Sequence, residues 1–161
     1  MALLAVLSDS HDDLTALRRA ARIMERRGIT TAIHCGDITS PATVSELAPF
    51  TVHWVFGNCD VDLGGLRAAM ERHGHVCHGL QGTLQVEGCS LAFTHGHRGE
   101  VLRGLVAGGA HAAVFHGHTH HRSLSRSAGT LVLCPGALAH ARPAGFAILD
   151  LPALQVEWAD L

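Results

Sequence analysis

His116-Gly117-His118-Thr119-His120-His121 places four histidines within six residues, directly after the apolar run 112–115. The apolar run is typical of a short buried strand. If the backbone stays extended beyond Phe115, His118 and His120 lie two residues apart and project to the same side. Two neutral imidazoles on one side of a strand end form half of a transition-metal site. A histidine-rich surface loop explains this stretch equally well, so the other strand ends decide between the two interpretations.

Length and composition predict a globular protein with one hydrophobic core. The 161 residues are 47% hydrophobic and 16% charged, which suits a single domain over residues 1–161. The net charge is −2 and the arginines form no stripe, so we expect no binding to a nucleic-acid backbone. No apolar run reaches membrane-spanning length, and we expect no membrane partner. Five cysteines without a Cys-x-x-Cys pair fit a reducing cytosol, so we expect a cytoplasmic protein.

Strand and helix patterns alternate through the first part of the chain, which indicates an α/β fold with largely parallel strands joined by right-handed crossovers. The predicted strands are 2–8, 30–35, 51–56, 90–94 and 112–115, with weaker segments at 76–78 and 83–86. The predicted helices are 12–27, 41–47, 63–73 and 101–106. The segments 124–127, 130–133, 145–151 and 154–158 are predicted to close the domain as successive antiparallel strands.

Polar side chains follow each of the five main strands at the point where it ends. They are Asp9 and His11, Asp37, Asn58 and Asp60, His95 and His97, and His118 and His120. The carboxyl ends of parallel strands share one edge of a sheet, where ligands bind, so we expect these side chains to meet there. Four of the ends also carry a glycine, which we expect to let the backbone approach a ligand closely: Gly36, Gly57, Gly96 and Gly117.

The donor types indicate the chemistry of this edge. Carboxylate, amide and imidazole donors without an evident thiolate suit manganese, iron, nickel, cobalt or zinc better than copper(I) or an iron–sulfur cluster. The donors are too many for one structural zinc ion, which takes about four. They suit two ions bridged by one carboxylate and roughly 3.5–4 Å apart, an arrangement used to hydrolyse phosphoesters.

The ordered motifs resemble the signature of the calcineurin-like metallophosphoesterases, and their spacing is most similar to the small prokaryotic phosphodiesterase branch. The motifs are Asp9-x-His11, Gly36-Asp37, Gly57-Asn58-Cys59-Asp60, His95-Gly96-His97 and Gly117-His118-Thr119-His120. Pro135-Gly136-Ala137 and Arg142-Pro143 also resemble that branch. The resemblance implies a four-layer α/β/β/α sandwich of two mixed sheets with the metal ions at its edge.

The resemblance also implies a ligand set for two divalent ions, with manganese expected first and nickel, iron, zinc or cobalt as alternatives. One ion would be held by Asp9, His11, Asp37 and His120. The other would be held by Asp37, Asn58, His95 and His118. Asp37 would bridge the two ions.

Four further residues are candidates for catalysis or substrate binding. A hydroxide held between the ions is expected to attack phosphorus in line. By resemblance, His97 would contact the phosphate, and it is our first choice for assisting the leaving group. Many relatives carry a histidine where this chain has Cys59, so Cys59 is the second candidate acid. Asp60 is expected either to hold a ligand or His97 in place or to cap a turn, and Arg142 either to bind phosphate or to remain solvated.

The sequence leaves several functions open. A small phosphodiester is the expected substrate, while a phosphomonoesterase of the same fold is an alternative. A non-catalytic scaffold similar to the retromer subunit is another alternative, although here each metal position carries a competent ligand. An amidohydrolase barrel would need about 250 residues, which excludes it. The sequence leaves homo-oligomerisation open.

Overall fold

The computed structural model describes residues 2–161 as eleven strands and four helices. The strands are β1 (Ala2–Leu7), β2 (Thr31–His34), β3 (Thr51–Trp54), β4 (Val76–Cys77), β5 (Gln81–Val86), β6 (Cys89–Thr94), β7 (Ala113–Phe115), β8 (Arg122–Ser127), β9 (Thr130–Pro135), β10 (Gly145–Leu151) and β11 (Gln155–Asp160). The helices are α1 (Leu14–Arg26), α2 (Pro41–Glu46), α3 (Leu63–Arg72) and α4 (Gly99–Ala107). Each predicted strand and helix is present, with ends that differ by a few residues.

The strands form two mixed sheets. Sheet A has the order β11-β10-β1-β2-β3-β4, in which β1 to β4 are parallel and β10 and β11 are antiparallel additions. Sheet B has the order β5-β6-β7-β9-β8, with parallel pairs at β6-β7 and β7-β9. This architecture confirms the predicted fold class of two mixed sheets with helices.

The closing strands differ from the prediction in one respect. They do not form one run of successive antiparallel strands, because β8 and β9 complete sheet B while β10 and β11 complete sheet A. In addition, β9 pairs in parallel with β7. The chain changes sheet between β9 and β10 because residues from both strands face the same interior: Leu131 and Leu133 of β9 pack in one cluster with Ala147 and Leu149 of β10.

Two apolar cores define the layers. One core lies between α1–α3 and sheet A, and includes Leu17 and Met24 of α1 and Leu66 of α3. The second core lies between the sheets, where Val6 and Ile33 of sheet A pack in the same cluster as residues of sheet B. Helix α4 packs at β6 and contains no fully buried residue. The periodicity of the strands thus directs one face of sheet A to the helices and the other to sheet B.

Local sequence signals set the helix ends. The carboxylate of Asp13 accepts a hydrogen bond from the Ala16 N–H at 2.9 Å, which caps α1. Gly28 follows the helix at φ +66°, a conformation that glycine adopts without strain. No helix in the described part of the chain, residues 2–161, combines the length and hydropathy needed to cross a bilayer.

One histidine that resembles a surface residue in the sequence lies in the core. The sequence favours surface positions for His53, His73, His75, His78 and His111, but His75 is only 8% exposed. Its Nδ1 accepts a hydrogen bond from Trp54 Nε1 at 3.0 Å, and the two rings stack. The surface prediction fails for His75 because the indole N–H provides the partner that a buried imidazole needs.

His53 and His78 form a half-buried pair that makes stability depend on pH. His53 Nδ1 and His78 Nε2 lie 3.0 Å apart, and both rings lie beside the ring of Phe93. Burial, and secondly the charge of His78, lowers the pKa of His53 to about 4 from 6.5. Between these values the unfolded chain binds more protons than the folded one, so stability falls as the pH drops through 6.5 toward 4.

We therefore expect the metal-free protein to lose about 1 kcal/mol of unfolding free energy through His53 between pH 7 and pH 5, a figure reduced for its partial exposure. His53→Gln keeps a hydrogen-bonding group but cannot titrate, so its stability should fall less over the same range. Urea unfolding of both proteins in chelator measures the difference. Equal losses in the two proteins would contradict this role for His53.

Candidate metal centre

The first cluster of candidate ligands joins the ends of β1 and β2 to the histidine stretch. Asp9, His11 and His120 each offer an atom within 4.8 Å of the other two. The Nε2 atoms of His11 and His120 are 3.4 Å apart, and His120 Nε2 is 3.1 Å from Asp9 Oδ1. Asp37 Oδ2 lies 3.6 Å from His11 Nε2 and completes the group. Four donors thus converge on one point at the edge.

The second cluster shares Asp37 with the first. His95 Nε2 is 3.4 Å from Asp37 Oδ2 and 3.1 Å from Asn58 Oδ1. The rings of His95 and His118 lie 5.1 Å apart and nearly perpendicular. The same Asp37 oxygen, Oδ2, therefore faces a histidine of each cluster. All seven residues predicted as ligands meet at one edge.

The backbone brings these side chains together by a route that the sequence did not predict. The sequence predicts that His118 and His120 share a side because the chain stays extended. Instead, both residues have positive φ, at 69° and 59°, and so do Asp9 and His11, at 53° and 40°. The strands have already ended, and left-handed turns aim the side chains. Non-glycine residues in this region are uncommon and carry strain, which the surrounding contacts must offset.

The glycines at the strand ends make room for neighbouring parts of the protein, whereas we expected them to make room for a ligand. A Cβ at Gly57 would collide with Asp37 Oδ1, and a Cβ at Gly117 would collide with Ser8 Oγ and Asp9 Oδ2. Neither glycine has a positive φ, so each position requires glycine for its small size and not for its backbone conformation. The absence of a Cβ lets the loop after β3 pack against Asp37 and the loop after β7 pack against Asp9. These two approaches assemble the clusters.

Hydrogen bonds orient the two carboxylates. Asp9 Oδ2 accepts from Ser8 Oγ at 2.5 Å and from the His118 N–H at 3.0 Å. Asp37 Oδ1 accepts from the Cys59 N–H at 2.9 Å. Burial by itself would raise the pKa of Asp37, but the hydrogen bonds from His95 and Cys59 outweigh it and hold that pKa well below its usual range. Asp37 is therefore a carboxylate at neutral pH.

His95 is oriented by a carbonyl behind it. Its Nδ1 lies 2.7 Å from Cys35 O, and because a carbonyl only accepts, Nδ1 carries a proton and donates it. In the neutral ring the lone pair of Nε2 then faces the oxygens of Asp37 and Asn58. Burial lowers the pKa of His95, but the charges of Asp37 and Asp9 raise that pKa by more, so the net shift is upward. The position thus favours positive charge.

This arrangement passes a test for cation binding. Asp9 is fully buried, yet its Oδ1 atom has no hydrogen-bond partner within residues 2–161. A buried carboxylate oxygen without a partner is costly unless a cation or proton satisfies it. This oxygen faces His11 and His120, whose Nε2 atoms lie 3.8 and 3.1 Å away, and histidine is the commonest ligand of transition metals. The donors present therefore fit a divalent metal ion.

Cys59 and Asp60 follow Asn58 in the loop after β3. Cys59 offers its sulfur within 4.8 Å of ligand atoms of His11 and Asp37. Burial, followed by the hydrogen bond and charge of Asp37, raises the pKa of Cys59 to about 11. Asp60 accepts hydrogen bonds from four backbone N–H groups, those of Gly57, Asp37, Ile38 and Thr39, at 2.7–3.0 Å. Asp60 therefore holds two ligand-bearing loops together.

His97 and Arg142 occupy different positions: His97 lies beside the second cluster, and Arg142 is exposed. The ring of His97 is 5.4 Å from His95 and 6.3 Å from His118, and its Nδ1 is buried without a partner. Burial and then the charge of His95 lower the pKa of His97. Arg142 is exposed, and among residues 2–161 it forms no hydrogen bond or ion pair with either cluster.

Sequence reasoning missed His140. Its ring is 5.6 Å from that of His11, beside the first cluster. The loop that carries it is fixed by hydrogen bonds from Leu138 N to Ser8 O and from Ala139 N to Asp9 O, both 3.1 Å. The sequence feature that could have indicated His140 is the Pro135-Gly136 pair at the end of β9, because it resembles the other strand ends that carry a glycine. His140 lies further from its strand than the other histidines do from theirs, so spacing did not single it out.

Comparisons with known proteins identify relatives of this chain. The family model that describes the calcineurin-like phosphoesterase superfamily domain matches residues 2–153. Phosphodiesterase MJ0936 of Methanocaldococcus jannaschii is 30% identical over 137 residues, which are 83% of this chain and 82% of that protein. A solved structure described as a novel archaeal phosphodiesterase has a TM-score of 0.92 at 25% identity and covers 99% of both chains.

A more distant structure shares the fold alone. Vps29 of Entamoeba histolytica, solved in complex with Zn²⁺, has a TM-score of 0.69 at 18% identity and covers 98% of both chains.

The chain belongs to the calcineurin-like phosphoesterase superfamily. It is an enzyme of the phosphoesterase class, as its resemblance to that family predicted. Membership implies divalent metal ions, and the donors that converge at the sheet edge suit them.

Proposed function

We propose that the protein is a dinuclear-metal phosphodiesterase that hydrolyses a small phosphodiester. The observation that carries the proposal is the position of Asp37, whose Oδ2 atom lies 3.6 Å from His11 Nε2 and 3.4 Å from His95 Nε2. One carboxylate oxygen between two histidine-containing clusters is suited to bridge two cations.

The proposed ligands divide along the two clusters. Asp9, His11, Asp37 and His120 would hold one cation, and Asp37, Asn58, His95 and His118 would hold the other. When bound, two such cations neutralise charge on phosphoryl oxygens and lower the pKa of the attacking water. Manganese is our first choice because most of the donors are carboxylate and amide oxygens and imidazoles, with nickel, iron, zinc and cobalt as alternatives.

The remaining residues would bind and orient the substrate. His97 lies beside His95 and His118, so its ring can donate a hydrogen bond to a phosphoryl oxygen or to the leaving group. Cys59 is the weaker candidate acid, because its raised pKa disfavours release of the thiol proton. We assign Asp60 a positioning role through its four backbone hydrogen bonds. Arg142, exposed on the loop after His140, would pair with a substrate phosphate.

The preference for a diester rests on relatives. The two most similar proteins described above are both named phosphodiesterases. A scaffold role without catalysis is disfavoured because each of the seven ligand positions carries a side chain that can donate to a metal, and none is aliphatic.

A panel of phosphoesters tests this proposal. Metal-stripped protein would be reloaded with manganese, nickel, iron, zinc or cobalt and assayed with a generic diester and the corresponding monoester. We expect metal-dependent hydrolysis, faster on the diester, with a chelator abolishing it. Faster monoester hydrolysis would favour the phosphomonoesterase, and no turnover with any ion would favour a scaffold.

A further inference from the structure

We propose that Cys59 Sγ is an additional ligand of the cation held by His11 and Asp37, and that this sulfur gives the centre affinity for zinc and cobalt. The inference deepens the proposed function and rests on it. It also differs from the expectation drawn from sequence, which took the donor set to lack an evident thiolate and used Cys59 only as a candidate acid.

The position of the sulfur is the first support. One ligand atom from each of His11, Asp37 and Cys59 lies within 4.8 Å of the other two. The three atoms are a nitrogen, an oxygen and a sulfur, and small shifts of the side chains bring atoms this close to a common cation at ordinary zinc–ligand distances. Cys59 therefore meets the geometric condition for a ligand.

The loop after β3 explains how the sulfur comes to that point. Asn58 Oδ1 faces His95 of the second cluster, at 3.1 Å. The next residue, Cys59, donates its N–H to Asp37 Oδ1 and presents its sulfur near His11 of the first cluster. Two consecutive side chains thus serve the two clusters on either side of Asp37. Asp60 fixes this loop through its four backbone hydrogen bonds, so the backbone that carries the sulfur is held in place before any ligand arrives.

An independent feature indicates that a cation belongs here. The buried Asp9 Oδ1 has no hydrogen-bond partner among residues 2–161 and lies 3.8 Å from His11 Nε2 and 3.1 Å from His120 Nε2, two candidate ligands of the same cation. Asp9 and Asp37 together bring two carboxylates to the cluster, and a cation would satisfy both of them and the sulfur.

The other cysteines do not share this position. Cys35 and Cys134 are buried, while the sulfur of Cys89 contacts Pro152 O and that of Cys77 accepts from Arg67. None of them belongs to a group of potential metal ligands among residues 2–161. Cys59 is exposed, so a cation can reach its sulfur from solvent.

The consequence is a change in metal preference. Manganese prefers oxygen donors, whereas zinc and cobalt accept sulfur readily. On binding, the thiol releases its proton to solvent and the sulfur forms one bond to the cation, with no change in oxidation state. Removing the sulfur should therefore weaken zinc and cobalt binding more than manganese binding.

Cobalt titration of the full-length, reduced, metal-stripped protein tests the inference. Wild type should develop a sulfur-to-cobalt charge-transfer band in the near ultraviolet. Cys59→Ser should bind cobalt but lack this band, and the control Cys89→Ser should retain it. In competition experiments Cys59→Ser should lose at least about tenfold in affinity for zinc relative to manganese, because even residues behind the ligands contribute that much.

The outcomes separate this inference from the proposed function. Cobalt bound by wild type without the band, or a band that persists in Cys59→Ser, overturns sulfur ligation and leaves the metal centre intact. No cobalt bound by wild type overturns the metal centre and this inference with it. An unchanged zinc-to-manganese preference in Cys59→Ser overturns the claim about selectivity.

Discussion

Replacing Asp37 with asparagine is expected to reduce kcat/KM for phosphodiester hydrolysis roughly a thousandfold, about 4 kcal/mol of transition-state stabilisation. The Oδ2 atom of Asp37 faces both clusters, so the change removes a negative charge from both proposed cation sites at once. Asparagine has almost the same shape, and its Oδ1 can still accept from the Cys59 N–H. The loss should therefore appear in kinetics and metal content, while the fold persists.

Asp150→Asn is the matched control for this experiment. Asp150 lies on β10 opposite Leu3, at the end of β1 away from Asp9, and is only partly buried, so an amide should be tolerated there. We expect this variant to keep the activity of wild type. Steady-state kinetics at saturating metal, with circular dichroism to verify folding, measure the comparison. Undiminished metal-dependent hydrolysis by folded Asp37→Asn would rule out Asp37 as the bridge.

Replacing Gly117 with alanine is expected to disrupt the centre by steric overlap alone. The added Cβ would collide with Ser8 Oγ and Asp9 Oδ2, so the histidine loop must move away from the end of β1. This movement breaks the hydrogen bond from the His118 N–H to Asp9 Oδ2 and separates Asp9 from His120. We expect a loss of about 2 kcal/mol in unfolding free energy, the usual scale of overpacking, and a large loss of metal affinity.

Gly104→Ala provides the control for the Gly117 variant. Gly104 lies in α4, and a Cβ there meets nothing within 4 Å. Because alanine favours a helix more than glycine does, this variant should be stabilised by about 0.5–1 kcal/mol and should keep its activity. Denaturant unfolding and a metal-binding titration of the two variants give the comparison. Wild-type metal affinity in Gly117→Ala would show that the close approach of β1 and the histidine loop is not needed.

The convergence of the candidate ligands at one edge was predictable from sequence because these residues follow a repeated rule. Apolar strand patterns end in Asp9, Asp37, Asn58, His95 and His118, and parallel strands carry their carboxyl ends to one edge. That rule needs only the alternation of strands and helices and no knowledge of turn geometry. The fold class followed from the same alternation together with the resemblance to a known family.

The details that failed depend on tertiary contacts. Left-handed φ values at Asp9 and His118 arise because the strand ends pack against each other, which no local propensity specifies. The exchange of sheets between β9 and β10 follows from burial between two sheets, whereas a single sequence shows only successive strands. His75 is a core residue because Trp54, 21 residues earlier in the chain, provides a hydrogen bond from the neighbouring strand β3. His140 reaches the site through backbone contacts of its loop with β1.

Metal content of the reloaded wild-type protein tests the central claim most directly. After metal stripping, reloading with manganese, nickel or zinc and removal of free ions, elemental analysis should find two bound ions per chain, as two clusters that share Asp37 require. Asp37→Asn treated in parallel should retain less. One ion or none per folded wild-type chain, with every metal tried, would contradict the dinuclear centre.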